Sequence, residues 1–144
     1  MRNGVTNILL SIKPRWAEKI YAGEKTVEVR SKVPQAYGKG LGRDVLNIVF
    51  YETSPVMRIT GTAVSRGFRP MEGYGVDLTG TCLNTSEYES YAKGRTVFGI
   101  QLEDVRRFDN PLPIAVTGYR RPPMSFFILS DEQTDRIVSE GVTA

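Results

Sequence analysis

Three side chains within one short stretch define the chemistry open to this chain. Gly23-Glu24-Lys25-Thr26-Val27-Glu28-Val29-Arg30 carries an ammonium, a carboxylate and a guanidinium around two valines. Lys25 and Arg30 are suited to holding phosphate, or to pairing with Glu28. Glu28 either accepts N–H groups of a base or acts as the counter-ion that orients the two cations. The 144 residues contain no histidine and one cysteine, Cys82. Ser-His and Cys-His catalysis and a disulfide within the chain are therefore excluded, and a zinc site lacks its ordinary ligands. Any acid–base chemistry falls to Lys, Asp, Glu, Tyr or a hydroxyl. No cofactor or metal is expected.

Such groups need an element to position them. The stretch alternates as a strand does, with Val27 and Val29 on one face and Thr26, Glu28 and Arg30 on the other. Lys25 stands at the strand entrance, where Gly23 lets the backbone turn. Taken alone, the stretch also reads as a half-exposed edge strand with solvated charges.

The surrounding chain supplies the rest. Asn7 to Ile12 reads as a short buried strand ended by Lys13-Pro14. Pro14 opens a helix at a first-turn position, Trp16, Ala17, Ile20 and Tyr21 recur at helical spacing, and Gly23 falls just past the end. Ser31 to Arg43 has the composition of a basic, glycine-containing loop. Val45–Tyr51 and Val56–Ser65 read as strands, with Gly61 marking a bend or bulge. Arg66 to Cys82 has no sustained period and reads as short strands or a flap. Asn84 or Thr85 caps a short helix through Tyr91, closed by Lys93-Gly94. Thr96 to Phe108 reads as one long strand, Pro111 and Pro113 as loop, and Met124–Leu129 as a final strand. Ser130 to Gln133 is a capping-box pattern opening a C-terminal helix.

Charge is uneven. Residues 1–43 hold nine Lys/Arg and three Asp/Glu, while 44–144 hold ten and thirteen. The N-terminal third is a candidate basic face for an anionic partner, unless acidic segments neutralise it in space. No apolar run approaches membrane-spanning length and no signal peptide is visible, so a cytoplasmic protein without membrane contact is expected. Length and the lack of a linker or internal repeat give a single domain over 1–144. The pattern predicts an α+β fold, either a compact mixed-sheet barrel with peripheral helices or an open sheet.

Four features in order resemble the ASCH domain family of the PUA-like superfold. They are Leu10-Ser11-Ile12-Lys13-Pro14, the Gly23 to Arg30 stretch, Tyr51-Glu52-Thr53-Ser54-Pro55, and Pro122-Pro123-Met124-Ser125-Phe126. The resemblance runs from about residue 8 to 129. It implies a small mixed β-barrel with peripheral short helices and a cleft that takes RNA or a nucleoside or nucleotide. Carried over by motif, Lys13, Lys25, Glu28 and Arg30 line the cleft, Ser54 and Ser125 approach it, and Tyr51, Trp16 or Phe126 offers a stacking surface. Core packing is the competing role for each ring. One branch resembles amidohydrolases of acetylcytidine, in which a lysine activates a threonine three residues later. Here Lys25 matches but Glu28 replaces the threonine, and Thr26 should point away from Lys25. That activity is not expected.

The leading expectation is an RNA- or nucleoside-binding protein, a regulator of transcription or translation. An enzyme is the first alternative: a metal-independent ribonuclease or modified-nucleoside hydrolase with Lys25 as base or electrostatic stabiliser and Glu28 or Tyr51 assisting. A protein-interaction module in a regulatory complex is the second.

Overall fold

The computed structural model describes residues 4–34 and 45–142. Its elements in chain order are β1 (Val5–Ile12), α1 (Pro14–Tyr21), β2 (Val27–Arg30), β3 (Val45–Glu52), β4 (Arg58–Ser65), β5 (Phe68–Met71), α2 (Thr85–Ala92), β6 (Val97–Gln101), β7 (Glu103–Leu112), a 3-10 turn (Ile114–Thr117), β8 (Phe126–Leu129) and α3 (Asp131–Val142). The strands form a five-stranded sheet in the order β7-β4-β3-β1-β8 and a three-stranded sheet in the order β2-β6-β5. These ladders do not join into one closed ring among the described residues. The fold is α+β, with two facing sheets and three α-helices among the described residues.

Burial on both faces explains the apolar runs of β1 and β3, which pair in parallel from Val5↔Val45 to Ile12↔Glu52. Ile8, Leu10, Ile12, Leu46, Ile48 and Phe50 join Ile100 and Leu102 in a core between the two sheets. Leu9, Val49 and Tyr51 face the other way, into a second core closed by Ile137 of α3. A third core packs Val29, Met71 and Val97 of the smaller sheet against Tyr88 and Ala92 of α2. The layers are therefore α3, larger sheet, smaller sheet, α2.

Local signals held at most boundaries. Pro14 starts α1, and Gly23 follows its end at φ +81°. Asn84 caps α2 in a full capping box with Glu87. Ser130 and Gln133 exchange the same pair of bonds ahead of α3, at 2.8 and 3.0 Å. Gly61 lies at a register shift between β4 and both its neighbours.

Two expectations are corrected. The strand read over Thr96 to Phe108 is two strands, β6 and β7, which belong to different sheets. Leu102 lies between them, and Asp104 adopts a left-handed φ of 47°, so the chain changes sheets where the apolar pattern runs on. Pro111 belongs to β7, on the sheet edge that tolerates a residue without an N–H. The poorly legible 66–82 segment contributes β5 to the smaller sheet. Most of the basic loop read over 31–43 lies outside the described residues.

Candidate functional site

The site grows from the short edge strand β2. Val27 to Arg30 pairs antiparallel with β6, and Glu28 stands opposite Ile100. Ile100 points into the core between the sheets, so Glu28 points there too. Val29 faces the third core beneath α2. The edge-strand reading is correct, but the solvated-charge reading is not. Both faces of β2 are covered, Glu28 is buried and Arg30 keeps only a small exposed part.

Lys25 joins this group by a route that strand alternation does not give. It precedes β2, and its own N–H bonds back to the Lys19 carbonyl at 3.0 Å. That loop geometry brings Nζ to 3.4 Å from Oε1 of Glu28, with the lysine side chain 2% exposed. Nζ also donates to the Thr81 carbonyl at 2.6 Å and lies 5.1 Å from the centre of the Trp16 ring. Burial pushes the Lys25 amine below its ordinary value of 10.5, and the Glu28 carboxylate opposes that shift. Thr26 is placed apart. It is exposed, and its N–H bonds to the Gly80 carbonyl at 2.8 Å.

The other carboxylate oxygen of Glu28 is taken by Arg30, whose Nε donates to Oε2 at 2.7 Å. A terminal nitrogen of Arg30 donates to the Ser11 carbonyl at 2.6 Å. Glu28 thus bridges Lys25 and Arg30, which is the counter-ion arrangement read as one of its two roles. A guanidinium has five N–H donors. Two of those on Arg30 are engaged here, and its side chain is 14% exposed.

Ser11 ties this network to the end of the larger sheet where β1 and β3 finish. Its Oγ donates to the Pro123 carbonyl at 2.6 Å, and its N–H to the Ser125 carbonyl at 3.0 Å. One residue on, the Ile12 carbonyl accepts the Thr53 N–H at 2.9 Å. Lys13 is exposed beside that junction, Ser54 is exposed in the following turn, and Ser125 is half-buried. The four quoted motifs therefore meet at one end of the molecule.

Tyr51 does not join them as a stacking surface. It is 3% exposed in the core on the α3 side of the larger sheet, because its position in β3 alternates with Phe50, which faces the other core. Phe126 packs against the core between the sheets. Trp16 packs there as well, and Arg15 lies 4.2 Å from its ring centre. Arg15 also donates to Glu87 at 3.0 Å, linking α1 to α2.

Sequence reading missed the two carbonyls, of Thr81 and Ser11, that fix the cations. Backbone acceptors leave no residue-type signal. It also passed over Glu52, which is 2% exposed at the end of β3. Its influence is felt at Tyr21 and Arg107.

Two facing sheets, flanking helices and an edge strand that turns its charged side chains between them match an ASCH-like fold. The crystal structure of ASCH from Zymomonas mobilis is 25% identical and superposes at a TM-score of 0.74, over 92% of this chain and 94% of that one. The YTH domain of Zygosaccharomyces rouxii MRB1, in complex with N6-methyladenosine RNA, is 11% identical at a TM-score of 0.58, over 99% of this chain and 88% of that one. The N-terminal domain of Staphylothermus marinus McrB is 11% identical at 0.57, over 96% and 94%. The last two likenesses concern the fold alone. No family model and no curated protein matches the sequence. Among the described residues, no helix is long and apolar enough to cross a membrane.

Proposed function

We propose that this protein binds RNA or a nucleoside at the site built on Lys25, Glu28 and Arg30. The observation that carries this reading is the guanidinium of Arg30. It is held by Glu28 and the Ser11 carbonyl, partly open to solvent, with further N–H donors not engaged among the described residues. A fixed, planar donor of this kind suits a phosphate or the acceptor edge of a base. The RNA-bound YTH domain supports RNA as the ligand class through the shared fold. On this reading the protein is a cytoplasmic regulator of transcription or translation.

Lys25 and Glu28 have a different task here from direct contact. Their buried pairing holds Arg30 in place, and Lys13, Ser54 and Ser125 supply polar groups around it. The enzymatic reading rests on Lys25, whose buried amine is pushed below its ordinary value, the direction that favours a general base.

The test is retention of short RNAs and of a nucleoside panel by wild type and Arg30→Gln, with product formation read in the same samples. Circular dichroism confirms that the variant is folded. Retention lost in the variant is the expected result. Retention by a folded Arg30→Gln equal to wild type would remove Arg30 from the site. Product from wild type alone would move the assignment to the enzyme.

A further inference from the structure

The end of the larger sheet next to Arg30 is basic on its exposed side, and Glu52, the carboxylate that register places there, is buried. Three segments meet there: Ser11 to Trp16, Thr53 to Arg58 and Pro113 to Ser125. They are joined by the Ser11 bonds to Pro123 and Ser125 and by the Thr53 to Ile12 bond. Register puts Arg58 opposite Glu52 at the end of β3, and Leu112 opposite Ile59 at the end of β7. The segments contain Lys13, Arg15, Arg58, Arg120 and Arg121 and not one Asp or Glu. Arg15 is paired with Glu87. Lys13, Arg58, Arg120 and Arg121 are exposed and have no ion-pair partner among the described residues. Elsewhere Arg66 is matched by Glu103, Arg107 by Glu18 and Arg136 by Glu140, Arg95 is turned onto the Ala92 and Tyr91 carbonyls, and Arg106 is exposed without an ion pair among the described residues.

We infer that this rim is the backbone-binding surface for a single-stranded RNA whose base or terminal phosphate reaches Arg30. The inference rests on the RNA reading above and extends it from one contact to a track. Exposed cations held in no ion pair attract phosphates and release counterions on binding. The same rim exposes Met57 and Met124, the latter fully, which gives unstacked bases apolar surface to lie against. A lipid surface is the competing partner for basic and apolar groups together. It is disfavoured here because the surface consists of turns and strand ends, not the apolar face of a helix.

The test is the anisotropy of a short labelled single-stranded RNA, titrated at low and at moderate salt. Wild type, the double variant Arg120→Ala/Arg121→Ala and the distant control Lys93→Gln are compared. Co-sedimentation with phosphatidylserine vesicles runs in parallel. The expected result is RNA binding that weakens roughly tenfold at low salt in the double variant, with its salt slope reduced by about 1.4, and an unchanged control. RNA binding by wild type that the double variant retains in full overturns the rim while leaving the RNA reading intact. Vesicle binding that depends on Arg120 and Arg121, without RNA binding, overturns both and gives the surface to lipid. Absence of both also overturns both.

Discussion

Glu28 and Arg30, two residues apart on β2, are joined by a 2.7 Å bond from Nε to Oε2 inside the space between two sheets. The same guanidinium reaches the Ser11 carbonyl of the facing sheet. One planar group therefore bonds both within its own strand and across the inter-sheet gap, which an ammonium cannot reproduce at both points. Arg30→Lys should lower stability by about 1–2 kcal/mol, read as a shift in the urea midpoint with an unchanged slope. A midpoint equal to wild type would mean that the two bonds contribute nothing net.

Lys25 and Glu28 are expected to be energetically coupled. Removing one member of a buried ion pair leaves the other charge poorly compensated. Lys25→Met should cost about 3 kcal/mol, although Arg30 still serves Glu28. In the double variant Lys25→Met/Glu28→Gln the loss should be smaller than the sum of the single losses. Strict additivity in that cycle would mean the 3.4 Å pair carries no interaction energy.

The buried amine also gives stability a pH signature. Lys25 is depressed below 10.5 in the folded chain. Below its folded value both states hold the proton, so stability does not change with pH on its account. Between that value and 10.5 the unfolded chain binds more protons, and stability climbs with pH. Unfolding curves through the alkaline range should show this climb in wild type and not in Lys25→Met.

Tyr21 acts with the opposite sign. Burial raises its phenol far above the ordinary 10.0, opposed in part by its bond to Thr60. Below pH 10 the protonated phenol is shared by both states. Above it the unfolded chain loses the proton first, so stability falls as pH rises toward the folded value. Tyr21→Phe gives up the 2.7 Å bond between Oη and Thr60 Oγ1, at a cost of about 1 kcal/mol at neutral pH. That deficit should shrink above pH 10, where only wild type suffers the phenol's loss. A constant deficit would count against a buried, protonated Tyr21.

Gly61 provides a packing test near the same tyrosine. A Cβ there would run into the Arg106 carbonyl oxygen and the Tyr21 ring hydroxyl. The first is backbone and cannot swing aside, so Gly61→Ala should cost about 2–3 kcal/mol. A thermal melt within a degree or so of wild type would show that β4 and β7 separate there without penalty.

The legibility of these features follows from how local their causes are. Proline at the start of α1, the caps of α2 and α3 and the two-sided apolar runs of β1 and β3 are decided within a few residues, and sequence reading placed them. Glu28 and Arg30 were put on a common face because β2 is regular there. Lys25 escaped that logic because it precedes the strand, and its position depends on the distant Lys19 and Thr81 carbonyls. Tyr51 carried the composition of a stacking residue, yet β3 is covered on both faces, and nothing in its own neighbours shows that α3 closes the second face. The split between β6 and β7 was hidden for a similar reason. Apolar residues on both sides of Leu102 serve different sheets, and period alone does not record which sheet a residue faces.

Ser11 gives the molecule a mechanical linkage. Its N–H and Oγ hold Ser125 and Pro123, and its carbonyl holds Arg30. Three neighbours are thus latched to a single residue of β1, within hydrogen-bond slack. When the 120–125 segment shifts by more than that slack, it breaks its latch or drags Arg30 along. Load applied to the arginine-bearing rim is therefore transmitted through one serine to the guanidinium between the sheets.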